Sequence, residues 1–179
     1  LSFNSNHKTE AACFYEMGTV YKPTTPDKLP DESQKVAIGM YGKNVDFFSL
    51  KGIVEKLFQC LNIAEYDVQA VNDNPTFHPG RTAVFTIDGK ILATVGEVHP
   101  EVAENYEIGT RVYMAELDVN TAFENRMGTR THKPLPKYPA TTRDLAFVCD
   151  KSIPVLQLQR AIGEAVGKIL ESVKLFDVY

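Results

Sequence analysis

His78 and His99 are each followed by proline, and Glu97 and Glu101 flank the second pair. Imidazoles and carboxylates are the ligands of hydrolytic metal centres, so His78, His99, Glu97 and Glu101 define one candidate chemistry, a metal-dependent hydrolase. The spacing opposes it, because the helical metalloprotease pattern needs two histidines four apart with a glutamate beside the first. Histidine before proline more simply opens a turn, its imidazole satisfying a nearby backbone group. Phosphate chemistry lacks its cradles, since neither Gly-x-x-x-x-Gly-Lys-Ser/Thr nor Gly-x-Gly-x-x-Gly occurs. Nucleophilic catalysis fares no better: there is no Gly-x-Ser-x-Gly, and Cys13, Cys60 and Cys149 sit in no catalytic signature. Odd in number and far apart, the cysteines suggest neither disulfides nor a zinc knuckle. They are expected as small hydrophobes in cores of a cytoplasmic protein.

The elements that must position these residues alternate in period. Aromatic and apolar residues from Phe14 to Tyr21 around Gly18 predict a strand, Lys22 to Gln34 with its prolines a loop, and Val36 to Tyr41 a second strand. Leu50, Ile53, Val54, Leu57, Phe58 and Leu61 then recur at helical spacing, with Lys51, Glu55, Lys56 and Gln59 opposite, which predicts a helix packed by one side. Asp88-Gly89 between Ala83–Ile87 and Ile91–Val95 predicts a hairpin, since both turn positions tolerate positive φ. Pro100 to Asn105 reads as a short helix, Val112 to Leu117 as a strand, and Asp118 as the N-cap of a helix through Phe123. Beyond the proline-bearing stretch from Asn125 to Pro139, a strand at Leu145–Cys149, a helix after Pro154 and a strand at Val173–Tyr179 are expected. Residues 1–132 and 133–179 are therefore expected to be two domains.

The balance of charge is acidic, at -4 in 179 residues. From Lys133 onward, however, seven basic residues face five acidic ones, against twelve and eighteen before it. Any contact with nucleic acid is expected in the tail, and the acidic first part argues against a stand-alone RNA-binding module. No apolar run approaches the roughly 20 residues of a membrane span. Leu1 is expected to be a boundary, with the true N-terminus upstream.

Read as ordered words, the same segments resemble one family. Phe14-Tyr15-Glu16-Met17-Gly18, then Val45-Asp46-Phe47-Phe48-Ser49-Leu50-Lys51-Gly52, are similar to motifs of the catalytic-like domain in bacterial-type phenylalanyl-tRNA synthetase β subunits. Phe77-His78-Pro79-Gly80-Arg81 and Gly96-Glu97-Val98-His99-Pro100-Glu101-Val102 resemble that domain's two His-Pro motifs, in the same order. Lys137-Tyr138-Pro139, Arg143-Asp144-Leu145-Ala146 and Phe176-Asp177-Val178-Tyr179 resemble the opening of the ferredoxin-fold anticodon-binding domain that ends these subunits. The resemblance spans essentially the whole chain.

It implies an α+β fold: an antiparallel sheet of the class II aminoacyl-tRNA synthetase type with flanking helices, followed by a partial ferredoxin-like β-α-β unit. It also implies a ligase of which this chain is a non-catalytic portion, with no catalytic or metal residue of its own. Active class II cores clamp ATP with one arginine in an Arg-x-Glu strand and another in Gly-x-Gly-x-Glu-Arg, because a reacting triphosphate needs guanidinium forks in place. Neither pattern occurs here. ATP and Mg2+ are thus expected to serve the whole enzyme and not this chain. The implied partners are the catalytic α subunit, a second β chain in a two-α two-β assembly, and tRNA(Phe), with no membrane. The family's motif assigns the anticodon contact to Asp177 and Tyr179, the ring stacking on a base and the carboxylate accepting from a base edge. His78, Pro79, Gly80, Arg81, Glu97, His99 and Pro100 are assigned to structure. Because the ferredoxin-like third strand lies between the first and second, residues after Tyr179 are expected to complete the unit. The short join Gly42-Lys43-Asn44 is expected to reflect a closed-up loop.

Overall fold

In the computed structural model, residues 1–25, 27–128 and 137–178 are described. The chain divides into two compact units, Leu1–Thr131 and His132–Tyr179.

The first unit is a six-stranded antiparallel sheet with helices, an α+β arrangement. Its strands are β1 (Ala12–Lys22), β2 (Asp31–Tyr41), β3 (Asp67–Ala70), β4 (Phe77–Ile87), β5 (Lys90–Val98) and β6 (Tyr113–Asp118), in the spatial order β1-β2-β6-β5-β4-β3. The helices are α1 (Ser2–Asn6), α2 (Phe47–Cys60), α3 (Pro100–Asn105) and α4 (Val119–Glu124).

The helical stripe read from Leu50 packs as its spacing requires. Leu50, Val54 and Phe58 are fully buried against Phe85, Leu92, Val95 and Ala115 of the sheet, and burying three such side chains stabilises the unit by roughly 5–8 kcal/mol. Ile53, at the margin of the stripe, stays 38% exposed. Helix α2 begins three residues before the apolar stripe. Asp46 accepts from the Ser49 amide at 2.7 Å while Ser49 Oγ accepts from the Asp46 amide at 3.4 Å, a reciprocal capping box. A second cluster joins Tyr41 of β2, Val98 of β5 and Val112, just before β6, around Ala103 of α3.

The Asp88-Gly89 turn forms as expected, with φ of 49° and 77°. Asp118 caps α4, its Oδ1 accepting from the Thr121 amide at 2.8 Å. The loop expected from Lys22 to Gln34 is shorter, because β2 begins at Asp31. Polar residues Asp31 to Gln34 become strand by pairing with Thr19 to Lys22, a ladder that local composition does not announce. Between Gly42 and Val45 the chain makes a tight turn, the Val45 amide donating to the Gly42 carbonyl at 3.1 Å, which leads β2 into α2. All three cysteines are exposed, not in cores as expected. Cys13 lies on the uncovered edge strand, Cys60 on the polar side of the last turn of α2, and Cys149 in an unpaired segment.

In the second unit, α5 (Val155–Val166) and a short 3-10 turn (Gly167–Ile169) form where the helix was expected. The strand expected at Leu145–Cys149 and the described part of that at Val173–Tyr179 are not assigned as strands. An extended segment becomes a strand only by pairing, and neither has a ladder partner among the described residues. Leu145, Phe147, Val148, Leu175, Phe176 and Val178 are correspondingly exposed.

Candidate functional site

The first His-Pro lies within β4 and the second just past the end of the neighbouring β5, at the start of α3. The β4–β5 ladder pairs Phe77 with Val98 and resumes at Thr82 with Gly96, so His78-Pro79-Gly80-Arg81 bulges out between them. His78 Nδ1 accepts from the Gly80 amide at 3.1 Å, and Thr82 Oγ1 donates to the His78 carbonyl at 2.7 Å. Gly96 lies beneath the bulge. A Cβ there would come within 2.8 Å of the Phe77 ring and of Thr82 Oγ1, so only glycine fits. His99 caps α3, its Nδ1 accepting from the Glu101 amide at 3.3 Å, with Pro100 in the first turn. The His99 amide donates to the Thr76 carbonyl at 2.9 Å, tying the second motif to the first.

Glu97 is the charge at the centre. Its side chain is 5% exposed, its Oε2 lies 2.7 Å from Arg81 Nη1 and its Oε1 3.8 Å from Arg111 Nε. Tyr113 opens β6 beside it. Burial pushes the phenol above its ordinary pKa, and the Glu97 carboxylate adds to the rise. A cleft of about 540 Å³ opens next to this cluster, lined by Val98, Ala103, Glu104, Ile108 and Arg111 among others.

The contacts of this arrangement tie the two motifs to each other and to the start of β6. Both imidazole Nδ1 atoms accept from backbone amides, and Glu97 is engaged by two guanidinium groups. Glu101 is 86% exposed and stands 4.0 Å from His99 Nδ1. Among the described residues no group of three or more His, Cys, Asp or Glu side chains could hold a metal, and the hydrolase reading is not favoured. Sequence reasoning brought Arg81, Glu97 and the two histidines together but missed Arg111 and Tyr113, whose place follows only from the β5–β6 register, Glu97 opposite Tyr113.

In the second unit Asp177 is exposed, and Tyr179 lies outside the described residues. Nothing in the geometry of Asp177 by itself selects a ligand.

Residues 1–119 match the family described as the phenylalanyl tRNA synthetase beta chain CLM domain. The chain belongs to the phenylalanyl-tRNA synthetase β chain family. Residues 136–179 match the ferredoxin-fold anticodon binding domain. Relatives called phenylalanine–tRNA ligase beta subunit include that of Clostridium acetobutylicum, 45% identical over 180 residues covering 100% of this chain and 23% of the relative. That of Clostridium tetani is 42% identical over 100% of this chain and 23% of its own length. That of Bacillus subtilis is 35% identical over 100% and 24%. The chain thus spans about a quarter of the length of these relatives. A pyrrolysyl-tRNA synthetase from Desulfitobacterium hafniense overlaps 62% of this chain and 39% of its own at a TM-score of 0.49 and 15% identity, too loosely to bear on fold or chemistry. The two His-Pro motifs both fall within the 1–119 match, the first at a bulge of the β4–β5 ladder and the second at the N-cap of α3. Among the described residues no helix is long and apolar enough to cross a membrane.

Proposed function

We propose that this chain is a non-catalytic portion of a cytoplasmic phenylalanine–tRNA ligase, in which residues 1–132 form a synthetase-like scaffold that docks the catalytic α subunit and residues 133–179 begin the anticodon-binding domain. ATP and Mg2+ serve the whole enzyme, a two-α two-β assembly. The observation that carries the scaffold reading is the state of the arginines. Arg81 and Arg111 are turned onto Glu97 of the same chain, and the Arg-x-Glu pair that would grip a triphosphate does not occur. The β subunit alone should then give no phenylalanine-dependent exchange of pyrophosphate into ATP, and adding α should restore it. Exchange by β alone would overturn the reading.

The docking surface is proposed on β1. Tyr15, Met17 and Tyr21 share one face and are 81%, 64% and 59% exposed, with Phe14 and Val20 half-exposed on the other. Strand β6 pairs only with Lys35–Met40 of β2, so the hairpin ends Thr19–Lys22 and Asp31–Gln34 project about 13 Å past the sheet as a two-stranded arm. An isolated ribbon with apolar faces is marginal in water, which supports a protein partner.

The anticodon contact is proposed for Asp177 and Tyr179, as the family's motif has it. Replacing Tyr179 by Ala in the full-length subunit should weaken anticodon-stem binding by roughly 1–3 kcal/mol. Unchanged affinity would remove the role.

A further inference from the structure

Strand β1 is a sheet edge with little to protect it. Its one neighbour is β2, and every residue from Cys13 to Lys22 is exposed. An open edge offers a row of unpaired backbone amides and carbonyls, which proteins ordinarily blunt with lysine, proline, a bulge or brevity. The opposite edge, β3, is only four residues long. By contrast β1 is eleven residues long, pairs with β2 without a register shift, and carries no lysine, arginine or proline before Lys22. A Cβ added at Gly18 would meet nothing within 4 Å, so packing inside the unit does not call for a glycine there.

Charge selects the occupant of this edge. Glu16 and Lys22 are the only charged residues of β1, and neither stands in an ion pair among the described residues. A second β1 laid antiparallel along the edge, in the register centred on Thr19, sets each Glu16 opposite the other copy's Lys22. It also sets Met17 opposite Tyr21, Gly18 opposite Val20 and Thr19 opposite Thr19. Opposite charges, a thioether beside an aromatic ring and paired threonines are each favourable across strands. Pro23, which has no amide to donate, ends the ladder. Registers centred on Glu16 or Met17 would instead bring the two Glu16 carboxylates opposite or diagonal to one another, which is unfavourable.

We infer that the open edge of β1 pairs with β1 of a second copy of this chain, Glu16 against Lys22. The hairpin arm that projects past β6 is a marginal two-stranded ribbon by itself, and pairing makes it four-stranded, enough strands to hold its shape. Residues opposite one another share a face, so Met17 and Tyr21 of both copies extend the face proposed for the α subunit. The inference rests on the proposed two-α two-β assembly and supplies its β–β contact.

The test uses the full-length β subunit assembled with α, with Cys13, Cys60 and Cys149 replaced by serine and Thr19 by cysteine. On the two-fold axis the two Cα atoms at position 19 would stand about 4.5–5.5 Å apart, within reach of a disulfide. Mild oxidation should therefore link β to β in Thr19→Cys, seen as a band of doubled mass without reductant. A variant that keeps the exposed Cys13 and leaves Thr19 in place should form no such link, because its two copies would lie twelve positions, about 40 Å, apart. Adding Glu16→Lys to Thr19→Cys should cut the yield about fivefold or more, since two attractive pairs become two repulsive ones. A yield untouched by Glu16→Lys, or a link through Cys13 as strong as through Thr19→Cys, overturns the inference. So does the absence of a link in Thr19→Cys. If light scattering then still gives the mass of two α and two β, the assembly reading stands without this contact, whereas the mass of one α and one β removes both.

Discussion

Single residues here act mainly through their charge partners. Glu97 is buried and faces Arg81 and Arg111, which are 43% and 70% exposed and can recover water if the carboxylate is lost. Glu97→Ala should therefore destabilise the first unit by about 1–3 kcal/mol, the range for a charge-assisted bond, which a shifted urea midpoint at unchanged slope would register. Asp118 supplies a pH dependence. Burial raises its carboxyl pKa, but the Thr121 amide and Lys35, whose Nζ lies 3.0 Å away, outweigh that and hold it below the usual value. A carboxyl depressed on folding contributes stability that is present above its unfolded pKa near 4 and lost as pH falls through the lower folded value. Asp118→Ala should cost about 1 kcal/mol at pH 7, and the difference from wild type should shrink on acidification below pH 4. Thermal melts across that range would check it. At the alkaline end, Tyr66 should ionise late, since burial and then Glu55 push its phenol up to about 12.

At the scale of elements, the interlock of β4 with β5 is the feature most sensitive to change. Gly96→Ala would drive a methyl against Phe77, Thr82 and, at 3.1 Å, the Arg81 carbonyl. Backbone cannot yield as a flexible side chain does, so a loss of about 1–3 kcal/mol is expected, measurable as a lowered Tm, with the His78–Arg81 bulge the first region to gain amide exchange. Gly89→Ala meets open space but sits at φ 77°, so its cost should be smaller and purely conformational. Much at this scale was legible beforehand. The stripe of α2, the Asp-Gly hairpin, Pro100 opening α3 and Asp118 capping α4 each follow from local rules of spacing and turn chemistry. Strand β3 and the start of β2 do not, because Asp67–Ala70 is only four residues long and Asp31–Gln34 is polar, and both become strand by borrowing a neighbour's hydrogen bonds.

At the scale of the whole molecule the exposed face of β1 is the main expectation. Replacing Tyr15, Met17 and Tyr21 together by Ser should leave the Tm of the β subunit nearly unchanged, since their side chains meet solvent, yet prevent co-elution with α; intact co-elution would place the interface elsewhere. The ordered words from Phe14 to Asp177, and the missing arginine clamps, were decided by sequence alone, because identity of motif and absence of a residue type need no coordinates. So were the helices whose apolar spacing or capping residue is local. Only the tertiary structure decided that His78-Pro79-Gly80-Arg81 bulges from the β4–β5 ladder, that Arg111 and Tyr113 join Glu97, and that Asn62, at the end of α2, donates to the Met127 and Gly128 carbonyls. Each of those contacts joins residues distant along the chain or depends on a bulge, and strand register and bulges are set by the cooperative pairing of a whole sheet, which no short stretch of sequence contains.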